Sequence, residues 1–255
     1  MAISGDMPHN GRVGTPRAPL AAARLDPARR MGAVMGLLEK LSNNKGTVSS
    51  ALGKKLAADV LTGDLELLRD AIPLVLHERK SAKAKGVRAG AAKIVECVAE
   101  RRPDLVAPFL EDLLPALDVE EPQTKWMVFM TLGYCASLSP QAAAKGLPYA
   151  RKHVRAKADG QLCLLGAIDV YLGRLGAASA SDAGKAFALL VESGDNPIRN
   201  EEDWILEGII ALFDRLDDAS KRVALEFADQ YERSPKAATR KRRDRLVRLS
   251  GVRRA

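Results

Sequence analysis

Histidine, cysteine and tryptophan are the side chains of this sequence with the most specific chemistry, and their spacing is the first thing to test. A structural metal site needs ligands at fixed short separations, such as Cys-x-x-Cys or two histidines one helical turn apart. Here Cys97, Cys135 and Cys163 stand 28 residues or more apart, and His9, His77 and His153 are farther apart still. Neither a metal centre nor a Cys/His nucleophile is expected from them. His77 and His153 close helical stretches, where a cation suits the helix dipole. The cysteines lie in apolar helical stretches, where small core residues are the expectation. No Gly-x-Ser-x-Gly, His-Glu-x-x-His or phosphate-cradling glycine loop occurs. The carboxylate pairs Glu201-Glu202 and Asp217-Asp218 open helices, where capping accounts for them. No catalytic residue, metal, cofactor or small-molecule substrate is therefore expected.

Trp126 and Trp204 are the remaining candidates, 78 residues apart at the starts of two helical stretches. An exposed indole can stack on a base or anchor a protein interface. Met130, not an acid, stands one turn after Trp126, and Asp203 precedes Trp204 and points to another side of its helix.

Charge adds a second pattern. The formal net charge of +8 belongs to the two ends: residues 239–255 contribute +7 and residues 1–30 contribute +3, leaving the body at −2. Within the body the sign alternates. Arg79, Lys80, Lys83, Lys85, Arg88 and Lys93 are followed by Asp118, Glu120 and Glu121, then by Arg151, Lys152, Arg155 and Lys157, then by Glu192, Asp195, Glu201, Glu202 and Asp203. A nucleic-acid backbone laid along such an edge would meet repulsion at every second cluster.

The elements that must position these residues are helices. The chain is 47% hydrophobic but only 4% aromatic, and its Ala- and Leu-rich apolar stretches hold helical spacing without strict alternation. Residues 1–26, rich in Gly, Pro, Ala and Arg, read as a flexible arm, and 251–255 as a short flexible end. After Asp26-Pro27, a cap followed by a first-turn proline, leucine-rich helices alternate with a second kind that is apolar nearly all round. The second kind begins near Thr47, Gly86, Thr124, Gly160, Glu201 and Lys236, at intervals of 39, 38, 36, 41 and 35 residues. Such a period predicts about six stacked helix pairs over residues 27–250, each burying the apolar face of its neighbour. Ile72-Pro73, Leu114-Pro115 and Leu147-Pro148 place a proline in three consecutive first helices. The basic stretch 236–250 takes the place of the last second helix, with Ala238, Leu246 and Leu249 on its inner side and Gly251 as its stop signal. An odd cysteine count, no apolar leader and no run long enough to span a bilayer fit a cytoplasmic protein.

The stretch VRAGAAKIVECVAE (87–100), preceded by a leucine-rich helix and a polar turn, resembles the second helix of a HEAT repeat, with Val87-Arg88 and the Ala91-Ala92 pair at the family's favoured positions. The resemblance covers roughly residues 27–250. It implies an all-α, right-handed α-α superhelix whose second helices line the concave side and bind a protein partner without enzymatic activity. On this chain that surface would comprise Lys54, Lys55, Arg88, Trp126, Glu202, Asp203, Trp204, Arg240 and Arg243. A mixture of both charges with tryptophan suits a protein better than a uniform polyanion. The alternatives are nucleic-acid binding through the basic C-terminal helix, distantly like the HEAT-like alkylpurine DNA glycosylases with their tryptophan-lined concave face, and an accessory role like that of the HEAT-like phycobilin lyases.

Overall fold

A computed structural model describes residues 27–44, 51–156, 162–195 and 202–251. Both flexible ends proposed above fall outside them, except Gly251. The described residues form helices and no strand, which makes the chain all-α. In order these are α1 (Pro27–Asn43), α2 (Ala51–Leu61), α3 (Leu65–Leu74), α4 (Lys85–Arg101), α5 (Pro103–Val106), α6 (Leu110–Leu113), α7 (Pro122–Cys135), α8 (Pro140–Ala144), α9 (Leu147–Arg155), α10 (Leu162–Ala178), α11 (Ala180–Gly194), α12 (Glu202–Leu212), α13 (Asp218–Asp229) and α14 (Ala237–Leu249).

Local chemistry sets several of these boundaries. Asp64 and Asp217 cap α3 and α13 by accepting the backbone N–H of Leu67 and Ser220. Gly251, at φ +69°, stops α14 as expected. The stretch 104–118 reads as one helix but is four short pieces, because Pro108 and Pro115 each lack the N–H that would continue it; 3-10 turns over Ala107–Phe109 and Leu114–Asp118 take up the break. Gly146 likewise separates α8 from α9. A β-carbon there would lie 2.9 Å from the Tyr171 hydroxyl, which donates to the Ala143 carbonyl in the same place.

One row of helices runs through the described residues: α2 packs on α4, α4 on α7, α7 on α10, α10 on α12 and α12 on the basic α14. Matched contacts advance together along neighbours, Gly173 against Gly208 and Gly176 against Leu212, so α10 and α12 run parallel. The leucine-rich helices pack alongside, and one continuous apolar core runs from Leu37 to Leu246. The starts read from the sequence near Gly86, Thr124 and Lys236 lie within two residues of those of α4, α7 and α14, while Thr47, Gly160 and Glu201 lie outside the described residues.

Candidate partner-binding face

Burial on both flanks leaves the inner helices of the row, such as α7, α10 and α12, a single narrow stripe facing solvent, whereas α2 and α14 at its ends are more widely exposed. Between Thr124 and Ala136 of α7, only Trp126, Met130 and Tyr134 are not fully buried. They are spaced by four and so lie one above another. On α10 the corresponding positions are Cys163, Val170 and Arg174; on α12 they are Trp204, Glu207 and Ala211. Trp126, Met130 and Tyr134 rest partly on the core, whereas Trp204 is 41% exposed. Trp126, in the second turn of α7, and Trp204, in the first turn of α12, sit near the starts of the two helices that flank α10.

Toward the C-terminal ends of these helices the stripes converge on a groove lined by Tyr134, Ser137, Arg174, Ala178 and Ala211. The Arg174 guanidinium lies 4.1 Å from the centroid of the Tyr134 ring, a cation–π contact. Burial, reinforced by Glu100, pushes the Tyr134 phenol above its ordinary pKa, so the phenol stays protonated at neutral pH. Arg215 donates from Nε to the Ala177 carbonyl at 3.3 Å, along the same groove.

The sequence-predicted residues divide into three groups. Lys54, Lys55, Trp204 and Arg240 are exposed, and Trp126 is half-buried; they can meet a partner, although Arg240 also donates to the carbonyls of Ser234 and Pro235. Glu202 and Asp203 face the last helix of the row, within 3.8 Å of Lys236 and 3.7 Å of Arg242 respectively, while Glu207 takes Arg242 at 2.9 Å and Arg245 at 3.4 Å. The acidic patch on α12 and the basic helix α14 therefore face each other.

Arg88 and Arg243 are the corrections, because both are buried. Arg88 is 1% exposed. Its Nε and Nη2 donate to the two carboxylate oxygens of Glu121 at 2.7 and 2.8 Å, and its Nη1 donates to the carbonyls of His77, Glu78 and Ser81. Burial opposes ionisation of Glu121, but the hydrogen bonds from Arg88 overcome it and hold the carboxyl below its ordinary pKa. Arg243 turns inward with Thr239 and Leu246 and reaches Asp229, Glu232 and Asp244. Ala238 and Leu249, expected on that inner side, are exposed.

Two further expectations change. Cys135 is buried, and its thiol is pushed up to about 12 by desolvation. Cys97 is half-buried, and Cys163 is exposed because it falls on the solvent stripe of α10. His153 is not a helix-end cation. It is buried with Nε2 3.4 Å from the Leu117 carbonyl, and burial, reinforced by Lys125, lowers its pKa so that it is neutral.

The alternating charge clusters now have partners. Arg88 meets Glu121, Lys152 meets Asp118 at 3.0 Å, and Arg155 meets Glu192 at 2.6 Å, so successive turns are cross-linked by ion pairs. Among the described residues no group of three or more His, Cys, Asp or Glu could hold a metal ion, and no helix is long and apolar enough to cross a membrane. Compared with protein-family models, with curated proteins and with solved structures, the chain matches none.

Proposed function

We propose that this chain is a HEAT-like solenoid of about six helix pairs acting as a non-enzymatic protein-binding scaffold in the cytoplasm, with the open face of its second helices as the binding surface. The observation behind this reading is the stripe of Trp126, Met130 and Tyr134, the sole outlet to solvent of a helix otherwise buried from Thr124 to Ala136, with Trp204 exposed two helices away. Large apolar side chains held rigidly at a surface are the usual anchors of protein interfaces. Trp126→Ala and Trp204→Ala, combined, weaken capture of the partner identified by cross-linking in the native cell, by more than tenfold, while thermal melts stay within a few degrees of the parent. Unchanged affinity in the double variant, or a loss that tracks unfolding, rejects the tryptophan-anchored face.

A second reading, nucleic-acid binding, draws on a different region. Arg79, Lys80, Lys83 and Lys85 are exposed, and none makes an ion pair among the described residues. The C-terminal helix supports this reading less, since Arg242, Arg243 and Arg245 already face acids. A salt-dependent shift of labelled duplex that is lost on neutralising residues 79–85 would favour it.

A further inference from the structure

Some arginines of this chain are engaged with carboxylates and others are not, and two of the latter stand at one place. Arg88, Arg102, Arg155, Arg242, Arg243 and Arg245 each meet an acid. Arg174 and Arg215, both bordering the groove between α7, α10 and α12, form no ion pair among the described residues. Nη1 of Arg174 is also buried without a hydrogen-bond partner. A buried guanidinium N–H left unmatched is uncommon in a folded chain, because it forfeits hydration without recompense.

The rest of the groove is shaped for a chain rather than for a small ion. Its walls are small, with Ala177, Ala178 and Ala211 leaving room above the backbone, and Ser137 adds one hydroxyl at the rim, while Gly133 lets Tyr171 and the Arg174 stem pack close beneath. Tyr134 shows its ring to the groove and fixes the Arg174 guanidinium plane from one side. From Tyr134 the apolar stripe continues through Met130 to Trp126, one contact per helical turn. A ligand following this path meets a cationic end and then two turns of apolar surface.

We propose that this groove docks an amphipathic peptide segment of a partner protein, with an aspartate or glutamate side chain paired to Arg174 and apolar residues one and two turns away seated on Met130 and Trp126. Nη1 is sealed from solvent, so the carboxylate pairs with the accessible edge of the half-buried Arg174 guanidinium, and Arg215, bonded to the Ala177 carbonyl, adds a second positive charge nearby. Charge-assisted guanidinium–carboxylate bonds are the strong and directional kind, so the acid sets register while the apolar stripe supplies area. The inference rests on the scaffold reading and adds the chemistry of what is bound.

The test is selection of a displayed random-peptide library, with blocked C-termini, on the immobilised full chain, followed by titration of the enriched peptides. Enriched sequences are expected to share one Asp or Glu followed or preceded by apolar residues at spacings of three or four. Their affinity should fall at least tenfold for Arg174→Gln, and as much when the peptide's acid is changed to its amide, with no added loss when the two changes are combined. Lys40→Gln, exposed on α1 and remote from the groove, should leave affinity unaltered. Peptides that depend on Trp126 and Trp204 but carry no acid, and bind Arg174→Gln normally, overturn this proposal and leave the scaffold reading standing. Failure to enrich any peptide, or Arg174-dependent self-association of the chain in its place, overturns it too. Should Arg174→Gln unfold the protein, Arg174→Lys keeps the charge but loses the planar fork and should still weaken binding several-fold.

Discussion

Residues buried by design and residues left open by default look alike in this sequence, and Arg88 and Arg174 make the contrast. Both are arginines within apolar second helices. Arg88 saturates its guanidinium with Glu121 and three carbonyls, whereas Arg174 is held by Tyr134 and pairs with no acid among the described residues. Arg88→Met should therefore cost about 3–5 kcal/mol, since the buried Glu121 carboxylate is left without its partner. Adding Glu121→Leu should recover part of that loss, and urea titration of the four chains closes the cycle. His153 gives the chain a pH dependence. Its folded pKa lies below the ordinary imidazole value of about 6.5, so the unfolded chain takes up the proton first. Its contribution is complete above about 6.5 and is lost as pH falls through the window beneath that value. Urea midpoints at pH 7.5 and 5.5 should show this decline, and His153→Gln should flatten it.

Elements were more legible than sites. The rhythm of about 38 residues anticipated where α4, α7 and α14 begin; for α4 and α7, burial on both flanks imposes an apolar composition that sequence displays directly. Pro108 and Pro115 broke a first helix that periodicity alone had joined, since apolar spacing says nothing about a missing N–H. The face of α14 was misread for a related reason: Thr239 and Arg243 turn inward with Leu246, and neither is a residue that hydrophobic spacing selects. Tyr134 and Arg174 escaped notice because the solvent stripe of α7 and α10 is one residue wide, and composition cannot single it out. The closest approach between elements is also testable. A β-carbon on Gly173 would sit 2.6 Å from the Gly208 Cα and 2.8 Å from its carbonyl oxygen, and backbone cannot yield as a side chain can. Ala ordinarily favours a helix over Gly by about 0.5–1 kcal/mol. Gly173→Ala should nonetheless destabilise, by about 1–3 kcal/mol, with a lower Tm as the readout; a raised Tm would mean that α10 and α12 are not in that contact.

For the whole molecule, charge is a connecting device more than a field. The sequence concentrates its excess positive charge in the two ends, yet α14 faces Glu202, Asp203 and Glu207 across its contact with α12. Its buried side chains are Thr239, Arg243 and Leu246, so ion pairing contributes a larger share of its attachment than of any helix around α10. Raising salt from about 0.05 to 0.5 M shortens the screening length from roughly 14 to 4 Å. Amide hydrogen exchange in α14 should then speed up while that of α10 stays slow; equal protection of both would show that α14 is held by apolar contact after all. The cross-links between successive turns have a consequence for how such a chain can change length. Arg88 needs an acid one turn ahead, and the acids Asp118 and Glu121 lie between basic turns on either side. Excising a single helix pair would bring two turns of like sign together, whereas excising two neighbouring pairs restores opposite signs at the seam. Across these turns the signs thus have a parity: a variant shortened by two neighbouring steps keeps opposite charges at the seam, and one shortened by a single step should carry a like-charge fault at the join.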